Sequence, residues 1–312
     1  MPALRRSFTM ALYAFNGTWN SDKTDDVATP ENEGARNTNV VLFRNAHGAP
    51  APYYCNGVGT RIGVFGKIFG GAFGVGGQQR LAEALAHLQR RFNSGDREID
   101  IIGFSRGAAL ALAFANRIAK QVKDERGRSA RVRFLGLFDV VGSFGIPFNL
   151  GPLKFQEYNL GYELALPSNV EYCYHAMALD EPRQTFRVTR VRGAYEVWFR
   201  GAHSDIGGGN GNAGLNAIAR CWMLRKAIAC GVPIVESHVL DAASTCDAKC
   251  AVQFAGFDPV RNGFRQVESG DRVHYTVEVP CGRTDWHDPP ARCPREDVPS
   301  ELIAARTALF QG

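Results

Sequence analysis

The five-residue segment GFSRG, at residues 103–107, constrains the fold of this chain more than any other feature. It follows the largely apolar residues 99–102 and precedes the alanine-rich residues 108–113, a pattern that predicts a strand, a tight turn and a helix. The glycines on either side of Ser105 leave room for a strained turn that lifts its hydroxyl clear of the sheet edge. The pattern favours a nucleophilic serine, and the alternative is an ordinary glycine–serine turn.

The rest of the chain predicts an α/β protein. A chain of 312 residues with 45% hydrophobic side chains can build one large α/β domain. Alternating strands and helices indicate a mostly parallel sheet flanked by helices. We expect a single domain over residues 1–312, with residues 233–312 as a small C-terminal extension packed on it. The predicted strands are residues 10–15, 133–138, 172–179, 195–199 and 273–279, with a β excursion at 185–191, and the predicted helices are 78–92, 106–120 and 213–230.

The charge and the N-terminal residues argue against nucleic-acid binding and against a cleavable signal peptide. The net charge of +5 is modest and lacks the basic–aromatic pattern of a nucleic-acid-binding protein, although it suits peripheral contact with an anionic membrane. Arg5 and Arg6 precede a short apolar run without a cleavage site, so the run is interpreted as a first core strand. We therefore expect a protein that is cytoplasmic in the producing cell and, if exported, leaves without a cleavable signal peptide.

The chain shows no pattern typical of a metal or cofactor site. Its eight cysteines do not have zinc-site spacing, and the glycine-rich residues 56–77 do not form a dinucleotide-binding motif. We expect neither a metal nor an organic cofactor. The cysteines are either free thiols or form late disulfides among Cys246, Cys250, Cys281 and Cys293.

A nucleophilic serine needs a base, and the base needs an orienting acid. His203 is the best candidate base because it directly follows a hydrophobic strand, in the glycine-rich loop GAHSDIGGG. His175 lies within a predicted strand and is expected in the core or on the sheet surface. The other histidines occupy polar or helical contexts and are expected on the surface: His47, His87, His238, His274 and His287.

Two aspartates compete to be the acid. Asp139 ends the first predicted strand after Ser105, and Asp180 ends the second. The second position is the commoner one, but Asp180 can pair with the nearby Arg183, whereas Asp139 lies abruptly between apolar segments. Asp205, two residues after His203, is a candidate to brace the glycine turn. These patterns leave the choice open.

Seven segments resemble the α/β-hydrolase family that contains the type VI secretion phospholipase effectors. The resemblance covers about residues 8–232 and implies an α/β-hydrolase fold with a triad of Ser105, Asp139 and His203. One departure is Asn16, where family members usually carry aspartate. The segments are FNGTWN (15–20), YYCNGVGT (53–60), GGAFGVGG (70–77), IIGFSRGAAL (101–110), LFDVVGSFG (137–145), HAMALDEPR (175–183) and VWFRGAHSDIGGG (197–209).

The same layout predicts an oxyanion hole, which needs two N–H donors. Arg106, directly after the serine, supplies one, and Gly17 or Thr18 in the loop after the first strand supplies the other, unless that loop is only a structural turn. The apolar residues 62–77 and 144–150 are candidates for lipid contact, and packing against the sheet is the alternative.

The resemblance implies a serine hydrolase that cleaves carboxylic esters of lipids or phospholipids through an acyl-enzyme. One alternative is a carboxylesterase or thioesterase acting on small soluble esters. The other is a hydrolase-like binding module without catalytic activity. The family context also raises a secretion or immunity partner, which the residues do not identify.

Overall fold

Strands and helices alternate along most of the chain in the computed structural model, which describes residues 10–17, 36–57, 71–142, 163–183, 186–253, 265–279 and 292–296. The strands are β1 (Met10–Phe15), β2 (Tyr53–Cys55), β3 (Glu98–Phe104), β4 (Val132–Phe138), β5 (Val170–Ala178), β6 (Tyr195–Phe199), β7 (Arg272–His274) and β8 (Arg295–Glu296). The helices are α1 (Asn39–Ala46), α2 (Gly71–Asn93), α3 (Arg106–Gln121), α4 (His203–Gly207), α5 (Ala213–Ala229) and α6 (Glu236–Thr245), and a 3-10 helix covers Tyr275–Glu278.

These strands form one sheet in the order β2-β1-β3-β4-β5-β6-β7-β8, and each neighbouring pair is parallel. The chain runs from β1 outward to β2 and then returns to the other side of β1 with β3. Connections after β1 and β3 therefore diverge, which opens a crevice at the carboxyl ends of these two strands. The α/β-hydrolase architecture expected from the sequence is confirmed.

Helices cover both faces of the sheet because side chains alternate along each strand. On one face, Tyr13 and Leu137 pack with α2 and α3. On the other face, Leu12 and Phe134 pack with α1, α5 and α6. A third apolar cluster around Trp198 joins β5 and β6 to the C-terminal residues.

The C-terminal residues belong to this same sheet. β7 extends it beyond β6, and β8 extends it further. Asp271, just before β7, accepts hydrogen bonds from Arg190, with its Oδ1 2.6 Å from Nη2, and Tyr195 donates its hydroxyl hydrogen to Glu296 across 2.7 Å. Part of the expected extension thus adds two strands to the edge of the sheet described here.

Three secondary-structure predictions need correction. Helix α2 begins at Gly71 rather than at residue 78, since tertiary context overrides the low helix propensity of glycine. Residues 186–191 do not form a strand. The strand predicted over residues 273–279 ends at His274, whose side chain accepts from Thr276 N and caps the following 3-10 helix.

Two histidines expected on the surface are buried. His47 contacts Asp100, with Nε2 2.9 Å from Oδ2, and Asp100 also pairs with Arg133. His274 lies under α5, stacked against Phe199 at a ring separation of 4.7 Å. In both cases a hydrogen-bond partner replaces lost water, Asp100 for His47 and the hydroxyl of Thr276 for His274. His87 and His238 are partly exposed, and His287 lies outside the described residues.

Candidate active site

Ser105 occupies the turn between β3 and α3. Its backbone conformation, with φ 59° and ψ −128°, is rare for residues other than glycine. Neighbouring backbone holds this turn. Ser105 N donates to the carbonyl of Phe138 at 2.9 Å, and Val141 N donates to the carbonyl of Ser105 at 3.3 Å. The end of β4 therefore fixes the position of the serine at the carboxyl edge of the sheet.

The two glycines of the turn are required by close backbone approach. A Cβ atom on Gly103 would lie 2.7 Å from the Cα atom of Ala108. A Cβ atom on Gly107 would lie 2.4 Å from the carbonyl oxygens of both Phe15 and Asn16. The second contact brings the end of β1 directly against the start of α3.

His203 begins α4, directly after β6, and reaches the serine. Its Nε2 lies 2.9 Å from Ser105 Oγ, and its Nδ1 lies 2.5 Å from Asp139 Oδ2. The imidazole is buried between the rings of Phe104 and Phe186, whose centroids lie 4.7 and 4.8 Å from its own. This packing leaves the imidazole little freedom to rotate away from either partner.

Asp139 follows β4 and is fully buried. Its φ of 42° is the second strained backbone angle at this edge, and its backbone N–H donates to the carbonyl of Ala176 at 2.8 Å. The carboxylate accepts the N–H of Ala178 at Oδ1, 2.9 Å away. It also accepts two hydrogen bonds from the guanidinium of Arg265, whose Nη2 lies 3.0 Å from Oδ2.

The electrostatics of the site favour an ionised aspartate and a neutral histidine. Burial opposes charge on Asp139, but Arg265 and His203 more than offset it and hold the pKa of Asp139 well below its usual range. Burial lowers the pKa of His203, and the bond to Asp139 only partly opposes that shift. Because a carboxylate can only accept, the Nδ1 of His203 carries the hydrogen and its Nε2 accepts the hydroxyl hydrogen of Ser105.

The other two acidic candidates have structural partners. Asp180 accepts from Arg200 at 2.7 Å and from Gly201 N at 2.7 Å. Arg183, considered as a partner of Asp180, forms a bidentate pair with Glu181, with Nε 2.7 Å from Oε1.

Asp205 braces the glycine loop, as its position suggested. It accepts the backbone N–H of Ala202 at 2.9 Å and that of Gln253 at 3.0 Å. The side-chain amides of Asn210 and Asn212 donate to its other oxygen, each at 2.8 Å. This carboxylate therefore links the loop after β6 to the start of α5.

The predicted oxyanion-hole donors are described in part. Arg106 is the first residue of α3, where helical N–H groups have no partner within the helix. Gly17 N donates to Asn16 Oδ1 at 2.8 Å, so this N–H would have to be shared with or released to an oxyanion. Thr18 lies outside the described residues. The oxyanion hole remains a prediction.

Asn16 is buried at the end of β1 and holds the loop after it. Its Oδ1 accepts from the hydroxyl of Thr38 at 2.8 Å, in addition to the bond from Gly17 N, and its Nδ2 donates to the hydroxyl of Tyr54 at 2.7 Å. The side-chain amide of Asn16 supplies both a donor and an acceptor here, which an ionised aspartate cannot do.

Sequence reasoning missed three side chains that surround the triad. Arg265 binds Asp139 from a segment without a recognisable pattern. Glu181 accepts the backbone N–H of His203 at 3.1 Å. His175 accepts the N–H of Val140 at Nε2, 3.1 Å away, and so supports the residue after Asp139. The only available signal was the position of His175 on β5, which ends beside Asp139, and of Glu181 three residues after the end of that strand.

Comparison with known families identifies the relatives of this chain. The model of the catalytic domain of type VI secretion system (T6SS) Tle1-like phospholipase effectors matches residues 12–122 and 113–226. The chain belongs to this family. The match spans all three residues of the Ser105–His203–Asp139 contact and ends within α5. No curated protein matches the chain.

Solved structures also resemble the chain, and two of them are informative here. One is a crystal structure of an uncharacterized protein from Pseudomonas aeruginosa, 22% identical over 77% of this chain and 49% of that chain, with a TM-score of 0.57. The other is the Tle1 effector bound to the VgrG spike from the type 6 secretion system, 24% identical over 64% of this chain and 51% of that chain, with a TM-score of 0.42. The chain thus spans about half the length of each, and the first likeness supports the fold alone.

Over the described ranges, no three His, Cys, Asp or Glu side chains are arranged to hold a metal ion. None of the helices described is both long and apolar enough to cross a bilayer. The cysteines within these ranges are free thiols, and Cys281 lies outside them.

Proposed function

We propose that this chain is a serine ester hydrolase that cleaves lipid or phospholipid esters through an acyl-enzyme. The observation that carries the proposal is the unbroken hydrogen-bond chain from Ser105 Oγ through His203 to Asp139, with distances of 2.9 and 2.5 Å. It lies at the crevice where strand order reverses, which is where ligands bind in open parallel sheets.

The geometry supports a two-step mechanism. His203 Nε2 takes the hydroxyl proton as Ser105 Oγ attacks the ester carbonyl, and Asp139 stabilises the imidazolium that forms. The backbone N–H groups of Arg106 and of either Gly17 or Thr18 would stabilise the oxyanion. His203 then donates its proton to the leaving alcohol. Water, deprotonated by the same imidazole, releases the acid and regenerates Ser105.

Family membership supports a phospholipid substrate, because the matching model describes phospholipase effectors. The net charge of +5 is compatible with contact to an anionic headgroup layer. Residues 62–70 and 144–150, considered for lipid contact, lie outside the described residues. The remainder of the first segment, residues 71–77, forms the first two turns of α2.

The test is hydrolysis of vesicles of phosphatidylethanolamine and phosphatidylglycerol, with products followed by mass spectrometry. We expect the parent protein to release fatty acid and lysophospholipid, and Ser105→Ala to release neither. A series of p-nitrophenyl esters of increasing acyl length, with and without micelles, separates the alternatives. Preference for short soluble esters without gain at an interface would replace the lipase proposal with a carboxylesterase or thioesterase.

Equal background activity of the parent and of Ser105→Ala on each ester would instead favour a binding module. Family membership also supports delivery by a type VI secretion system. The test compares the culture medium of a producing strain with that of the same strain after deletion of its secretion sheath. We expect the protein in the first medium and not in the second.

A further inference from the structure

Arg265 joins the C-terminal part of the chain to the acid of the triad. Its side chain is only 8% exposed, and both terminal nitrogens of the guanidinium bind the Asp139 carboxylate. The same two nitrogens donate to the backbone carbonyls of Ala178, at 2.9 Å, and Phe186. Four hydrogen bonds thus fix this cation between the end of β5 and the residues before β6.

The position of Arg265 along the chain makes this contact unexpected. The family match ends at residue 226, 39 residues earlier, so the serine, the histidine and the aspartate belong to the matched region and the arginine does not. Strand β7 and the ion pair between Arg190 and Asp271 attach the segment after Arg265 to the sheet. The C-terminal residues therefore contribute a charge to the site as well as an edge to the fold.

A guanidinium on the triad carboxylate has two physical effects. A planar bidentate contact fixes the orientation of the carboxylate more firmly than one backbone N–H alone can do. A positive charge next to Asp139 also cancels part of the attraction that would otherwise stabilise a protonated His203. The histidine then stays neutral, and so able to act as a base, at lower pH.

We propose that Arg265 is a positioning residue that fixes the Asp139 carboxylate towards His203 and lowers the pH at which ester hydrolysis fails. The proposal rests on the serine hydrolase function proposed above. It agrees with the direction of the histidine shift, since the charge of Arg265 acts to lower the pKa of His203.

The other charged groups around His203 are carboxylates that have partners of their own. Glu181, after β5, accepts its backbone N–H and favours the protonated imidazole, but it is itself paired with Arg183. Asp139, after β4, acts in the same direction as Glu181. Asp205, within α4, accepts four hydrogen bonds, three from its own loop and one from the backbone N–H of Gln253. Among the described residues, Arg265 is the cation that binds the Asp139 carboxylate beside His203.

The experiment measures kcat/KM of the full chain on p-nitrophenyl butyrate as a function of pH for the parent, Arg265→Gln and Arg265→Lys. Removing the charge with glutamine is expected to raise the midpoint of the acid limb by about one pH unit. It should also lower kcat about 10- to 100-fold through loss of orientation. Lysine keeps the charge but not the bidentate geometry, so kcat should fall while the midpoint stays at the parent value.

Arg200→Gln is the matched control, because Arg200 is also a buried arginine, paired with Asp180 and with the carbonyl of Val277. It should lower thermal stability without moving the acid limb. If the acid limb of both Arg265 variants keeps the midpoint of the parent, the proposal is overturned, because Arg265 then has only a structural role. If the glutamine variant does not fold, a shifted midpoint in the lysine variant overturns it equally.

Titration of ¹³C-labelled histidine by NMR supplies a readout that needs no activity, with His203→Asn used to assign the His203 resonance. We expect the His203 titration to move to higher pH in Arg265→Gln and to stay in place in Arg265→Lys. A parent protein without esterase activity would refute the proposed function, whereas an unshifted His203 titration in Arg265→Gln would refute the role of Arg265.

Discussion

His203 donates its Nδ1 hydrogen to Asp139 Oδ2 across 2.5 Å, and both side chains are buried. The two residues are 64 positions apart and follow different strands, β4 and β6. Between them in the sheet lies β5, whose last residue, Ala178, donates its N–H to the same carboxylate. The contact orients the imidazole so that its other nitrogen faces Ser105.

Replacing Ser105 with alanine should abolish ester hydrolysis and preserve the fold. The hydroxyl is the only protein group of the proposed mechanism that bonds to the acyl carbon, and its loss leaves only the small rate that binding and an oxyanion hole provide. Rates on p-nitrophenyl butyrate and circular dichroism spectra check this prediction. Ser244→Ala, which alters an exposed serine on α6, should retain the parent rate.

Substitution of Asp139 and Asp180 by asparagine should separate the catalytic carboxylate from the structural one. Asp139→Asn should lower kcat about 10⁴-fold, because the histidine loses the partner that selects its tautomer. Asp180→Asn leaves Arg200 without its carboxylate in a buried position, which should cost about 3–5 kcal/mol of unfolding free energy. Its kcat per folded molecule should remain near that of the parent.

Both measurements need the folded fraction, since Asp139→Asn also removes a partner of Arg265. Urea unfolding provides it. A folded Asp180→Asn protein without activity, together with an active Asp139→Asn protein, would reverse the assignment.

Gly107→Ala should disrupt the alignment of the two loops at the crevice. The added methyl group would lie 2.4 Å from the carbonyl oxygens of Phe15 and Asn16, so the end of β1 must move away from α3. We expect a loss of about 1–3 kcal/mol in stability and a fall in kcat. The control is Gly270→Ala, where an added Cβ atom meets no heavy atom within 4 Å. Equal thermal midpoints and rates for both variants would contradict the prediction.

Stability should fall on mild acidification, in part because of His274. Burial, aided by the charges of Arg225 and Lys226, lowers the pKa of His274 to about 3. In the unfolded chain a histidine titrates near pH 6.5, so between these two values the unfolded state binds a proton that the folded state does not. The stability of the neutral form is therefore complete above about pH 6.5 and is lost as the pH falls.

Urea unfolding of the parent and of His274→Asn measures this contribution. Asparagine can still accept the hydrogen bond from Thr276 N but does not titrate. Between about pH 7 and about pH 5.5 the parent should lose about 1 kcal/mol more than the variant. An identical loss in both proteins would show that His274 does not contribute.

Local patterns allowed much of the fold to be predicted. The apolar residues before Ser105 and the alanines after it led directly to β3 and α3, because sterics and side-chain periodicity act over a few residues. The strand over residues 195–199 was predicted with its observed bounds for the same reason. The early start of α2 was missed because tertiary context overrides the low helix propensity of its glycines. The end of β7 at His274 was missed because a side-chain cap outweighs simple periodicity there.

The surroundings of the triad depend on contacts that local patterns do not encode. Position alone left Asp139 and Asp180 as rivals, and the difference between them is their partners, His203 for one and Arg200 for the other. Arg265 resembles any surface arginine in the sequence. Its burial and its bond to Asp139 exist only because β7 pairs with β6 and carries the C-terminal residues along the edge of the sheet.

The sequence by itself determined the strained turn at Ser105, the alternation of strands and helices, and the set of polar residues at strand ends, since each follows from short-range sterics and periodicity. Tertiary structure alone decided which carboxylate meets His203 and which cation meets that carboxylate. The reason is physical: a buried charge is stable only beside a partner, and the order of strands in the sheet, rather than distance along the chain, determines which partners meet.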